Sequence, residues 1–93
     1  MNEKIERAIA EFHNKVFPEV IVRHIGEGNN KLAFFFTGPF CFSCGLSDYF
    51  DDFSFILSKH LGERYIVEDR YPLNDGDSGW IVIYVAEREE NHN

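Results

Sequence analysis

An α+β domain with two helices on a mostly antiparallel four-stranded sheet, in the order α-β-β-α-β-β, is what three features of this sequence predict. Two segments repeat apolar residues at helical spacing. Four short β-branched or aromatic runs lie between clusters of turn formers, and the runs come in pairs, each pair following one helix. Ninety-three residues suit one domain and not two, so residues 1–93 are read as a single core, with the polar stretch 88–93 expected to fray.

The first stripe consists of Ile5, Ala8, Ile9, Phe12 and Val16, with Glu3, Glu6, Arg7, Glu11 and Lys15 between them, and predicts a helix over about residues 3–16 that Pro18 ends. Glu3 with Arg7 and Glu11 with Lys15 are spaced as helical ion pairs. Residues Glu19 to Ile25 and Lys31 to Thr37 flank Glu27-Gly28-Asn29-Asn30 and read as a hairpin. Leu46, Tyr49, Phe50, Phe53, Ile56, Leu57 and Leu61 predict a second helix over about 48–61, with Ser47 as N-cap and Gly62 just beyond its C-terminus. Asp48, Asp51 and Asp52 fall in its first turns, where the helix dipole favours carboxylates. A second hairpin, Arg64 to Tyr71 and Trp80 to Glu87, closes on the turn-rich stretch 72–79. Shifting the chain by 44 positions lays Phe12 on Ile56, Lys15 on Lys59 and Glu19 on Glu63, as an ancient duplication of an αββ unit would.

A small domain buries a limited share of its surface, and ten Phe, four Tyr and one Trp are an efficient way to build a core from few residues. The net charge of −7 opposes phosphate backbones and anionic lipid, so neither nucleic acid nor a membrane is expected as partner. No stretch approaches the length of a membrane span, the first residues lack the apolar core of a signal peptide, and two cysteines are far from a disulfide scaffold. A cytoplasmic protein with reduced thiols is expected.

The sharpest motif is Cys41-Phe42-Ser43-Cys44, set between the apolar strand 32–36 and the N-terminus of the second helix, where free N–H groups favour a thiolate. Over about 30 residues this arrangement, with the aromatic approach Phe36-Thr37-Gly38-Pro39-Phe40, resembles the redox site of thioredoxin-type proteins. The resemblance implies a thiol-disulfide oxidoreductase in which Cys41 attacks and Cys44 resolves. The residues themselves favour another role. No Lys or Arg occurs between Leu32 and Ser58, three aspartates follow closely, and Phe34, Phe35, Phe36, Phe40 and Phe42 crowd the stretch, a setting in which both cysteines pack as small apolar side chains. Zinc would need four ligands where this motif offers two, and His13, His24 and His60 have no ligand spacing, so a site would require a second chain. No metal and no cofactor is expected. Asn74-Asp75-Gly76-Asp77-Ser78-Gly79 lacks the length and terminal Glu of a calcium loop and reads as a tight turn. No phosphate-binding, dinucleotide, serine-hydrolase or zinc-protease motif occurs.

The last strand is apolar on both faces: Ile81, Ile83 and Val85 point one way, Trp80, Val82 and Tyr84 the other. Two helices cover only one face of a four-stranded sheet, and the aliphatic set is the expected partner for them. Trp80, Val82 and Tyr84, with Phe35 and with Arg23 or Arg64 at the margin, would then lie open, a composition typical of interfaces. The resulting reading is a non-enzymatic interaction domain, a homodimer through its sheet face that also serves another protein, with the Cys41/Cys44 oxidoreductase as alternative.

Overall fold

In the computed structural model, which describes residues 3–17, 19–38, 46–74 and 78–87, the apolar stripe of the first segment forms α1, Glu3–Val16, with Ile5, Ala8, Ile9 and Phe12 buried. Strands β1 (Ile21–Gly28) and β2 (Lys31–Thr37) follow, then α2 (Leu46–Leu61), β3 (Tyr65–Leu73) and β4 (Gly79–Ala86). The fold is the α+β arrangement that the patterning predicts, with a fully antiparallel sheet in the order β1-β2-β4-β3. Ser47 lies inside the first turn of α2 rather than ahead of it, while Gly62 closes the helix, its N–H donating to the Ser58 carbonyl at 3.0 Å. Pro18, residues 39–45, 75–77 and 88–93 lie outside the described residues, and with them the expected role of Pro18 as helix stop and the expected fraying of the tail.

Both helices pack on one face. Phe53 of α2 sits at the centre of that layer, its ring 5.2 Å from Phe12, 4.9 Å from Phe34, 5.8 Å from Phe36 and 5.7 Å from Tyr84, all edge-to-face. The hydroxyl of buried Tyr84 donates to the Phe50 carbonyl at 2.9 Å, and burial, with the charge of Asp51, pushes its pKa well above the ordinary tyrosine value. Two serines fasten α2 to the start of β3: the Tyr65 N–H donates to Ser58 Oγ at 2.7 Å, and the Ser54 hydroxyl donates to the Tyr65 carbonyl. Glu11 does not pair with Lys15. Its two oxygens instead take Lys59 Nζ and His60 Nε2 of α2, each at 2.8 Å, clamping the helices together and holding the Glu11 carboxyl below its ordinary range. Glu3 and Arg7 do pair, loosely, at 3.7 Å on the exposed face of α1.

The strand order sets the two αββ units about an approximate two-fold normal to the sheet, with β2 and β4 as central strands and β1 and β3 as edges. Each edge strand carries one bulge, at Ile25 between His24 and Gly26 and at Glu68 between Val67 and Asp69. No helix among the described residues is long and apolar enough to cross a membrane.

Candidate interaction face

Alternation along the central strands decides which side chains meet the helices. Leu32, Phe34 and Phe36 of β2 and Val82, Tyr84 and Ala86 of β4 are buried beneath α1 and α2. The expected placement of Trp80, Val82 and Tyr84 on the open face is therefore reversed. Tyr84 and Val82 are fully buried, and Trp80 is half-buried on the helix side, its ring 6.0 Å from Phe50. The physical reason is the aromatic character of the helices: Phe12, Phe50 and Phe53 make edge-to-face contacts with Phe34, Phe36 and Tyr84 that aliphatic side chains would not return.

The open face is correspondingly aliphatic. The strand registers set Arg23, Phe35, Ile81 and Tyr71 in one row across the sheet and Ala33, Ile83 and Asp69 in the next. Val85 and Ile66 continue the surface at one end, and Leu73 at the other. Phe35, Ala33, Ile81, Ile83, Val85 and Ile66 are all only partly covered, and no described helix lies over them. Of the charged groups on this side, Lys31 is neutralised by Glu68, 3.0 Å away. Arg23, on the β1 margin, has no ion-pair partner among the described residues. Asp69, on the β3 margin, accepts from the Tyr71 hydroxyl at 2.8 Å and from the Arg70 N–H at 3.1 Å. The hydroxyl's proton is held there, so the Tyr71 pKa shifts upward. Arg70 itself turns to the other side, its guanidinium carbon 5.9 Å from the centre of the Phe50 ring. Arg64 lies off the face and pairs with Glu87 at 2.9 Å.

The sheet edges are less suited to pairing than the face is to stacking. β3 carries Pro72, its bulge and the run Glu68-Asp69-Arg70, all of which discourage addition of a strand. On β1 the outward Val22 N–H is already taken, donating to His13 Nε2 of α1 at 3.0 Å. That bond requires a neutral imidazole with its proton on Nδ1. His13 lines a cleft of about 490 Å³ between α1 and β1 together with Glu6, Arg23 and His24, and partial burial lowers its pKa below the ordinary 6.5. A proton taken up by His13 would set two donors against each other, so the folded state binds fewer protons than the unfolded chain as pH falls through 6.5. Stability is thus expected to drop from about pH 7 towards pH 5, and His13→Gln, whose amide oxygen accepts the same N–H without titrating, should reduce that drop. Urea midpoints of both proteins across this range measure it; equal slopes would discount the His13 contribution.

Cys41 and Cys44 lie outside the described residues. Among the described residues no group of His, Cys, Asp and Glu is placed to hold a metal ion. Of the other residues singled out in the sequence, Arg23 and Phe35 lie together on the open face in one row, Ile81, Ile83 and Val85 lie there too rather than beneath the helices as expected, and Tyr71 and Asp69 join them. Strand pairing, which a single sequence does not display, is what unites them.

No family model matches the chain, and neither a curated protein nor a solved structure does.

Proposed function

We propose that this chain is a small acidic interaction domain that self-associates through the open face of its sheet. One observation carries the reading: the helices occupy one face only, and the other presents Phe35, Ile81, Ile83, Val85 and Ile66 as one apolar surface rimmed by single charges. An antiparallel sheet that faced water on this side would be expected to carry polar residues at these alternate positions. Strands at about 4.8 Å spacing and about 3.3 Å per residue give four strands of this length a footprint of about 500 Å², so two copies bury about 1,000 Å² in all. That is the size at which specific association begins, and it suits a reversible dimer better than an obligate one.

Ile83 lies at the middle of the surface and outside the buried core, so Ile83→Glu should leave the fold intact and abolish association. Sedimentation equilibrium of wild type and variant, with circular dichroism to confirm folding, tests the reading. A wild-type protein that remains monomeric at high micromolar concentration would end it.

A further inference from the structure

The two charges left on the face specify how the second copy would lie. Resting on the self-association reading above, we infer that the two sheets stack with their two-fold axis parallel to the strands, so that β1 of each copy crosses β3 of the other and Arg23 meets Asp69 twice, once at each margin.

A two-fold relating two stacked faces lies in the plane between them, and the strands leave two natural directions for it. With the axis parallel to the strands, rows are conserved and the strand order is inverted. β2 then covers the second copy's β4, with Phe35 over Ile81 and the small Ala33 over the larger Ile83. Arg23 stands over the second copy's Tyr71, one row from the Asp69 to which that tyrosine is hydrogen-bonded. Rows are about 6.6 Å apart and stacked sheets about 10 Å, a gap that an extended guanidinium side chain spans from one surface to the other. With the axis perpendicular to the strands, β1 covers β1 and β3 covers β3. Arg23 then approaches the other Arg23, Asp69 approaches the other Asp69, and Phe35 presses on Ala33 while Ile81 meets Ile83. Like charges at both margins disfavour this second stacking, and opposite charges favour the first.

The pairing has the features of a specificity device. Lys31 and Glu68 neutralise one another within one chain, so they add nothing to the choice of axis. Among the described residues Arg23 has no ion-pair partner, and Asp69 accepts only from neutral donors, a hydroxyl and a backbone N–H. Among the described residues each is the charge on its own edge of the open face that no ion pair compensates, of opposite sign, on the strand that the parallel axis brings to the other.

Charge reversal separates the two stackings. Arg23→Asp and Asp69→Arg should each weaken the dimer at least tenfold, and the doubly reversed chain should return to within about threefold of wild type, all read as dimer dissociation constants by sedimentation. Asp69→Arg is the more telling single change, because it lowers the overall negative charge and with it the general repulsion between copies, so a weaker dimer reports the lost local pair. If both single variants dimerise as wild type does while Ile83→Glu still gives a monomer, the face stands and the axis assignment falls. If the doubly reversed chain fails to recover although each single variant is folded, the Arg23–Asp69 pairing is wrong. A monomeric wild type would remove both this inference and the reading on which it rests.

Discussion

Phe53→Ala is expected to destabilise the domain by about 3–5 kcal/mol, a large part of the roughly 5–14 kcal/mol that a chain of this length has in total. Phe53 has no exposed surface and touches rings from α1, β2 and β4, so its removal opens a cavity at the one point where all three meet. Flattened neighbours cannot fill it, because Phe12, Phe34 and Tyr84 are each held by further contacts of their own. Phe55, two residues along α2, is 71% exposed, and Phe55→Ala should change stability by no more than about 0.5 kcal/mol. Urea denaturation of the pair measures the contrast. Equal losses would mean that α2 does not present this side to the sheet.

Gly38→Ala is the second large effect. Gly38 has φ of 136°, a region closed to side chains, and a Cβ there would lie 2.3 Å from the Glu19 carbonyl oxygen and 3.0 Å from its carbon. Both obstacles are backbone, so relief requires the start of β1 to part from the end of β2, beside fully buried Val20. The strained dihedral costs about 1–3 kcal/mol and the displaced backbone adds to it, giving an expected loss of at least about 3 kcal/mol. Gly28 supplies the comparison: it has open space around it and no positive φ, so Gly28→Ala should cost less than about 1 kcal/mol. Thermal or urea midpoints decide, and a Gly38→Ala protein as stable as Gly28→Ala would deny the close crossing of the two segments.

The element order was readable because each helix announces itself by a single apolar stripe and each strand pair by the turn formers around it. What the sequence left undecided was parity. Phe34-Phe35-Phe36 in β2 and Trp80 to Val85 in β4 are apolar at every position, so alternation marks no inner face. The bulges at Ile25 and Glu68 then shift parity within both edge strands. The aliphatic set of β4, Ile81, Ile83 and Val85, is the partner that spacing alone suggests for the helices. The available clue was on α2: Phe50 and Phe53, with Phe12, make an aromatic layer, and Tyr84 can reach the Phe50 carbonyl with its hydroxyl only from the helix side. Local spacing misled in a second place. Glu11 has Lys15 one turn away, yet a carboxylate with two oxygens does better between Lys59 and His60, which only the packing of α2 on α1 brings near. Of the candidate face, Arg23 and Phe35 were legible as an exposed charge beside an aromatic, whereas Asp69 and Tyr71 come from a strand some 40 positions further on and belong to the face through pairing alone.

The near-equivalence of the two αββ units bears on recognition as well as on folding. A pair of these domains stacked through their sheets would hold four such units around three mutually perpendicular directions, one a true symmetry and two approximate. To the backbone, then, the two ways of turning one copy over the other are almost the same operation, and shape has little power to choose between them. The choice passes to the few positions where the halves have diverged, with Arg23 on one edge strand and Asp69 on the other. In such a stacking the apolar side chains of the sheet face would supply the contact area, and an exchange of one or two charged residues would be enough to change which copies accept one another.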